Sequence, residues 1–381
     1  MTGNPRVFHL ITRLLKGGAE AKTIQTVLGL EEYEFTVGYG AEYNPNQVLR
    51  LEDAGIETRR FASIRHYNPV AAVPAVAIVA RYIQKNNFDI VHTHSTEAGI
   101  IGRFAASIAG SPIVIHTVHG VPFAPDRNDL LERLVLHCER AAAHRTDCFV
   151  TNADAIAEDY LSRGIGRSEQ YTTIYSGIDV EQFQQAGPAS DVTGEGVRVV
   201  MIGRLTNGKG FEDLLAAVDF LDRKNLSVYL VGDGPLRETL KAEIEERNLS
   251  NTIYMLGYRD DVPAILAACD VFVLPSYREG TPRVLTEAMA SGLPVIATDI
   301  AGIPEQIEDG RNGFLIEPGN TATLVERLKK LLADPELRQE MGKQGMEQAH
   351  HFSAETMVED LDEMYQELLK HRQGTEFNSE F

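Results

Sequence analysis

Short apolar, β-branched runs alternate with helix-patterned segments from one end of the chain to the other. That alternation restricts the fold more than any other feature. Val7–Ile11, Phe35–Val37, Thr58–Phe61, Ile90–His92, Ile113–Thr117, Cys148–Val150 and Tyr171–Ile174 read as strands. Glu20–Leu28, Ala98–Ala109 and Asp129–His144 carry apolar residues at helical spacing between them. Strands that alternate with helices pair in parallel, with helices covering both faces of the sheet. The Gly/Pro/Ser-rich segment 185–196 interrupts the pattern and reads as a linker. The alternation then resumes with Val197–Ile202, Ser227–Val231, Ile253–Leu256, Val271–Leu274, Val295–Ala297 and Gly313–Ile316. A chain of 381 residues accommodates two such α/β domains, each with its own core. The expected division is 1–185, a linker at 186–196, a second domain at 197–350, and a final helix at 354–370 returning to the first domain. Residues 371–381 read as a patternless tail.

The string Glu279-Gly-Thr-Pro-Arg-Val-Leu-Thr-Glu287 follows the buried strand Val271–Leu274. Thr281 is a candidate helix cap, Pro282 a first helical residue, and Gly292 with Pro294 a stop. Amides near Arg283, Val284 and Leu285, at the positive end of the helix dipole, suit a phosphate-bearing ligand. Gly280 lets the backbone approach closely. Glu279, on the loop before the helix, is placed to reach a sugar beyond the phosphates, and Glu287 to reach a ribose. After the strand Val197–Ile202 comes Gly203-Arg-Leu-Thr-Asn-Gly-Lys-Gly210. There Arg204 and Lys209 can bracket a diphosphate, one as a flat fork and the other as a compact charge. It is not a Walker loop, because the Gly-Lys-Ser/Thr ending is absent.

Together these strings and the continuation Ala288-Met-Ala-Ser-Gly-Leu-Pro-Val-Ile296 resemble the donor-site signature of the family-4 retaining glycosyltransferases. The resemblance implies the GT-B fold, two doubly wound Rossmann-like domains facing a central cleft. It implies retaining transfer of a sugar from a nucleoside diphosphate, UDP by default, without a metal or other cofactor. His119, Glu279, Arg204 and Lys209 then take catalytic roles, His119 orienting the sugar. Gly17, Gly18, Gly203, Gly232, Tyr258, Arg259, Gly280, Thr281, Arg283, Val284, Leu285 and Glu287 take the donor nucleotide. His92-Thr-His-Ser-Thr-Glu97 and its continuation to Arg103 are similar to a string in members that assemble polysaccharides or lipid-linked glycans. His94 and Glu97 are candidates for touching the acceptor, with a structural role as the alternative; His116 reads as structural. A sugar-nucleotide epimerase of the same fold and a non-catalytic sugar-nucleotide binder are the alternative functions.

His92 and His94 lack a carboxylate partner at metal spacing, which argues against zinc. Asp260-Asp261 has no further ligands nearby, and Asp360-Leu-Asp362 lies on the final helix as a solvated face. Three cysteines are too few and scattered for a disulfide framework. Nucleic acid is excluded as a partner by the net charge of −19. That charge is uneven: residues 1–175 carry −2 and the remainder −17. Arg59, Arg60 and Arg65 precede the apolar stretch Val70–Ala80, which is too short to span a bilayer. No signal peptide is recognisable at Met1. The expectation is a cytoplasmic protein whose first domain rests on the inner face of the plasma membrane and extends a lipid-linked glycan.

Overall fold

The structure is a computed structural model that describes residues 3–65, 69–111, 113–120, 123 and 129–379. Among these, every strand segment read from the sequence is a strand, and the chain divides into two compact units. Unit 1 comprises Met1–Ser176 with Glu355–Phe381, and unit 2 comprises Gly177–Ala354.

Unit 1 holds β1 (Arg6–Ile11), β2 (Glu34–Tyr39), β3 (Glu57–Arg60), β4 (Ile90–His94), β5 (Ile113–Val118), β6 (Cys148–Thr151) and β7 (Tyr171–Thr173). They form one sheet in the order β3-β2-β1-β4-β5-β6-β7, parallel throughout. β1, β4, β5 and β6 are buried on both faces, as their near-continuous apolar runs require. Phe8, Leu10 and Val91 face a core shared with Ala75, Val79 and Ile101. Val7, Ile11 and Ile115 face the opposite core, to which Met357, Leu361 and Tyr365 of the last helix contribute. That helix therefore completes the unit opened by the first strand.

Unit 2 holds β8 (Val197–Ile202), β9 (Leu226–Val231), β10 (Ile253–Gly257), β11 (Val271–Leu274), β12 (Val295–Thr298) and β13 (Gly313–Ile316). Its parallel sheet runs β10-β9-β8-β11-β12-β13 between two apolar clusters. In both sheets the first strand is central and the strand order reverses beside it, between β1 and β4 and between β8 and β11. Doubly wound sheets bind ligands at the carboxyl ends of the strands at such a reversal.

The structure departs from the sequence reading at three places. Segment 186–196 is not slack linker but lies inside unit 2. Val192 is buried, the Ala189 amide donates to Ala264 O (2.8 Å), and the Gly194 amide donates to the Tyr229 hydroxyl (2.7 Å). Its glycines serve close packing: Gly196 has φ +75°, and a Cβ there would lie 2.0 Å from Asn225 O. The last helix runs from Ala354 to Ser379, past the point where the sequence pattern fades. No proline interrupts it, and the single Gly374 costs only about 1 kcal/mol of helix propensity. Asp360-Leu-Asp362 is not a bare solvated face either. Asp362 accepts from the Tyr33 hydroxyl at 2.7 Å, and both aspartates are half-buried.

Candidate functional site

In unit 2 the loops leaving β8 and β11, the two strands at the reversal, carry the predicted charged groups. Lys209 Nζ lies 2.7 Å from Glu279 Oε1, so residues 70 positions apart form one pair. Glu279 is mostly covered, with 10% of its side chain exposed, against 28% for Lys209. Arg204 is exposed on the same loop as Lys209, and Gly203 beside it has open space where a Cβ would stand. The next loop approaches as closely as backbone allows. Gly232 has φ +138°, and a Cβ on it would sit 1.9 Å from Gly203 O. Only glycine fits that turn.

The helix after Glu279 runs Arg283–Ala290, with Pro282 rather than Thr281 at the capping position and no side-chain cap. Thr281 is buried, and the Gly280 carbonyl accepts from the Gly302 amide at 3.1 Å. The Leu285 amide turns back to Pro282 O (3.1 Å) and its side chain is fully buried in the core, so it does not join Arg283 and Val284 as an anion contact. Burial pulls the Arg283 guanidinium below its ordinary pKa, against the pull of Glu287, and its buried Nε has no hydrogen-bond partner. Burial likewise pushes the Glu287 carboxyl up, with Arg283 opposing. This pair therefore stands largely desolvated in the first turns of the helix. Tyr258 is 60% exposed after β10. Arg259 is committed to Asp191 (2.5 Å) and Asp261 (2.6 Å), which leaves its backbone rather than its side chain for a ligand. Asp260 accepts from the Tyr258 hydroxyl.

Unit 1 gathers uncharged groups instead. The loop after β1 runs into the helix Gly18–Gly29, with Gly17 at the capping position. A Cβ on Gly17 would meet Glu20 Oε2 at 2.5 Å, so the Glu20 carboxylate already sits over that helix start. Thr12 receives the Ala98 amide (3.0 Å) and reaches Glu97 Oε2 (3.4 Å), fixing Glu97 in the first turn of the helix Thr96–Ala109. Ser95 at that turn has φ +64°, a conformation costing a non-glycine residue about 1–3 kcal/mol. The strain lies directly after His94. His116 is held by Thr93 (Oγ1 at 2.9 Å) beneath Gly99, where a Cβ would clash with the ring at 2.3 Å.

His94 is joined to His119, which the sequence marked, and to His9, which it did not. Its Nδ1 lies 3.1 Å from His119 Nε2, and its Nε2 lies 2.8 Å from His9 Nδ1. His9 Nε2 meets the Tyr365 hydroxyl at 3.1 Å, which meets His92 Nδ1 at 2.6 Å. His92 Nε2 ends on Thr117 Oγ1 at 2.7 Å. The ligand atoms of His9, His92 and His94 lie within 4.8 Å of one another, a spacing that a metal ion could use. Each ring nitrogen of the three already has a hydrogen-bond partner, so a metal would have to displace several of them. Burial holds His9 and His119 down to about 3, and His92 and His94 well below the ordinary imidazole value. Lys22 is also buried, donates to Ile174 O at 2.5 Å, and is pushed down to about 7 by burial. Cys148 and Cys269 are buried free thiols and Cys138 is half-buried.

Residues 188–348 match the family described as Glycosyl transferases group 1, and residues 5–177 match the Glycosyl transferase 4-like domain. The chain is 32% identical to the UDP-Gal:alpha-D-GlcNAc-diphosphoundecaprenol alpha-1,3-galactosyltransferase of Escherichia coli. That match covers 71% of this chain and 73% of the relative. It is also 32% identical to the putative glycosyltransferase EpsD of Bacillus subtilis, over 75% of this chain and 78% of that one. The crystal structure of Anabaena HepE in complex with UDP superposes with a TM-score of 0.83 at 24% identity, over 95% of this chain and all of that one. The fold is therefore GT-B. The chain belongs to the group 1 (GT4) glycosyltransferases and is an enzyme of that family.

Proposed function

We propose that the protein transfers a sugar from a UDP-sugar to a hydroxyl of a lipid-linked or cell-envelope glycan, with retention at the anomeric carbon and without a metal. The observation that carries the donor half is the Lys209–Glu279 pair at the β8/β11 reversal. A leaving diphosphate develops negative charge, and Arg204, Lys209 and the first turn at Arg283–Val284 are the groups to stabilise it. Glu279 holds Lys209 and donor-sugar hydroxyls, Glu287 the ribose, and Gly203 and Gly232 give the backbone room. The leaving phosphate oxygen accepts the proton of the incoming acceptor hydroxyl on the same face, which preserves the configuration. His119 donates a hydrogen bond to the transferred sugar. His94 and Glu97 stay with unit 1's own frame: His94 meets His9 of β1, and Glu97 accepts from Thr12 just past that strand. That supports positioning over direct acceptor contact.

The acceptor half draws support from relatives and from surface. The E. coli relative's name specifies a diphosphoundecaprenol-linked acceptor. Among the described residues no helix is long and apolar enough to cross a membrane. However, the helix Pro69–Asn86 exposes Val73 (76%) and Ile78 (51%), and Ile108 of the next helix is 62% exposed. Val73 and Ile108 line a shallow groove of about 690 Å³ with Arg81 and Phe104. Arg59, Arg60 and Arg65 are exposed in the same unit. Exposed apolar side chains and cations in one unit suit an anionic leaflet.

Labelled UDP-sugars incubated with and without a polyprenyl-diphosphate glycan test both halves, with the anomeric configuration of the product read by NMR. Expected is transfer dependent on the lipid acceptor, α-linked from an α-donor and unaffected by EDTA. Inversion, or loss of activity in EDTA, overturns the mechanism. A water-soluble acceptor used as well as the lipid overturns the acceptor assignment alone.

A further inference from the structure

His9, His92, His94, His119, Tyr365 and Thr117 form an unbroken series of five hydrogen bonds through the interior of unit 1. Its members come from β1, β4, β5, the residue just past β5, and the last helix. Proton counting decides what such a series can do. A neutral imidazole carries one N–H and one lone pair, and a hydroxyl carries one proton to give. His94, His9, Tyr365 and His92 each stand between two neighbours, so each has one proton for two contacts. Every contact then holds one proton only if all the donors point the same way along the chain. The neutral state that this requires agrees with the burial of the rings: His9 and His119 are held down to about 3, and among the described residues no carboxylate hydrogen-bonds any of the four.

The far end sets the direction. Thr117 is fully buried, and among the described residues its hydroxyl has no partner besides His92 Nε2. Were His92 to donate to it, the threonine proton would be left buried and unmatched, at the cost of that donor's desolvation. Thr117 therefore donates to His92 Nε2, and His92 Nδ1–H donates to the Tyr365 oxygen. Tyr365 donates to His9 Nε2, His9 Nδ1–H to His94 Nε2, and His94 Nδ1–H to His119 Nε2. With its Nε2 used as an acceptor, His119 must carry its proton on Nδ1.

We propose that this one-way chain fixes the tautomer of His119, so that the ring presents an Nδ1–H donor to a neutral sugar oxygen, with Thr117, His92, Tyr365, His9 and His94 as positioning residues. The part played by the sugar rests on the function proposed above; the tautomer does not. The geometry also gives the last helix a role that its packing alone does not. Tyr365 is 356 residues from His9, yet it supplies the only hydroxyl between the two histidine segments of the chain.

Histidine-selective ¹⁵N labelling of the full-length protein, without donor, reads the tautomers from long-range proton–nitrogen correlations. In the wild type, His119 and His94 are expected as Nδ1–H tautomers. Tyr365→Phe severs the chain in its middle at nearly constant volume, and Thr117→Val removes the group that sets its direction. Both should convert His119 to a mixture of tautomers while the melting transition stays cooperative. Turnover should fall about tenfold in each, with the donor KM unchanged. A His119 protonated on Nε2 in the wild type overturns the proposal, as does an unchanged His119 tautomer in both variants. One equivalent of zinc in the purified protein, with metal-bound imidazole shifts at His9, His92 and His94, also overturns it. If the tautomers are as stated but His119→Ala retains full turnover, the chain stands and the sugar-contacting role of His119 falls.

Discussion

The two units solve the same topological problem with opposite chemistry. At its strand reversal, unit 2 sets charged side chains at the rim: Lys209 pairs with Glu279, and Arg204 stands exposed beside them. At its own reversal, unit 1 sinks a line of neutral rings beneath the surface, with His119 at its half-buried end. A site that must stabilise a developing diphosphate uses full charges, which keep their effect at a partly wet rim. One that must discriminate a neutral sugar face needs direction instead, and buried hydrogen bonds supply direction at low charge. The difference predicts where each unit is vulnerable: unit 2 to charge removal, unit 1 to any unpaired charge in its interior.

The largest expected effect tests unit 1. Among the described residues its interior does contain an ion pair, Arg103–Glu139, with both side chains fully buried and 2.5 Å apart. Arg103 Nε also donates to Gly99 O at 2.9 Å, but among the described residues Glu139 Oε1 has no partner, so the carboxylate depends on the arginine. Arg103→Met leaves a buried carboxylate alone and should cost about 3–5 kcal/mol. Arg103→Met with Glu139→Leu should recover most of that. Chemical denaturation of the single and double variants measures both. A single variant as stable as the wild type would mean that unit 1 tolerates buried charge, and the contrast would be lost.

Next comes unit 2. Glu279→Gln keeps the shape of the pair but removes its charge, and Lys209→Ala and Arg204→Ala remove the cations. Each should lower turnover about 10²–10³-fold. Glu246→Gln is the control, an exposed glutamate at the end of the helix Arg237–Glu246. Equal losses for Glu279→Gln and Glu246→Gln in a donor-turnover assay would break the assignment of charge to this rim.

How legible each site was follows from the same contrast. The rim of unit 2 was readable because its parts are contiguous: Gly203 to Gly210 is one loop, Glu279 to Glu287 one turn and helix. Only the Lys209–Glu279 pairing needed the fold: the strand alternation put both loops at carboxyl strand ends, and the strand order made those ends neighbours. Within that rim the sequence over-assigned. Leu285 is core, and the Arg259 side chain is spent on Asp191 and Asp261, because a string shows which residues are near and not which way they point. Unit 1 was readable in its strands but not in its wiring. His9 sits inside an apolar strand with no local signal, and Tyr365 reads as one more apolar position of an amphipathic helix. The one usable hint was His92-Thr-His94, whose period of two puts both rings on one sheet face. The segment at 186–196 misled because glycine and serine mark tight packing as well as slack.

Acid should separate the units more gently. His9 and His119 stay neutral in the folded protein down to about 3, whereas in the unfolded chain an imidazole takes a proton near 6.5. Between those values the unfolded state binds more protons, so this contribution to stability falls as pH falls. Glu287 in unit 2 has the opposite sign, because a carboxyl raised by burial is relieved on protonation. Asp147 and Asp360 in unit 1 shift as Glu287 does, but five histidines oppose them. Hydrogen exchange between pH 7 and 4.5 should therefore show unit 1 losing protection before unit 2. His9→Gln, which removes one such ring, should flatten the slope. Earlier opening of unit 2 would reverse the comparison.

The smallest expected effect concerns the surface, where the units differ little in net charge: −8 for 1–176 with 355–381 against −11 for 177–354. Net charge therefore does not choose between the units at an anionic leaflet; exposed apolar surface does, and docking falls to the groove carrying Val73 and Ile108. The arginines contribute unequally. The Arg60 guanidinium donates to Ala41 O and lies 4.8 Å from the Tyr43 ring centre, and Arg59 lies 5.9 Å from that of Tyr82. A cation already engaged gains less from a lipid headgroup than the roughly 1 kcal/mol of a free one near the surface. The exposed valine and isoleucine have no such competition, and burying an apolar side chain of that size is worth about 1.5–3 kcal/mol when complete. Val73→Asp should therefore reduce flotation with anionic vesicles more than Arg60→Gln does, and raised salt should weaken the arginine contribution without restoring the valine. Equal flotation of Val73→Asp and the wild type at low salt would remove this face from membrane contact and leave the transferase chemistry of both units untouched.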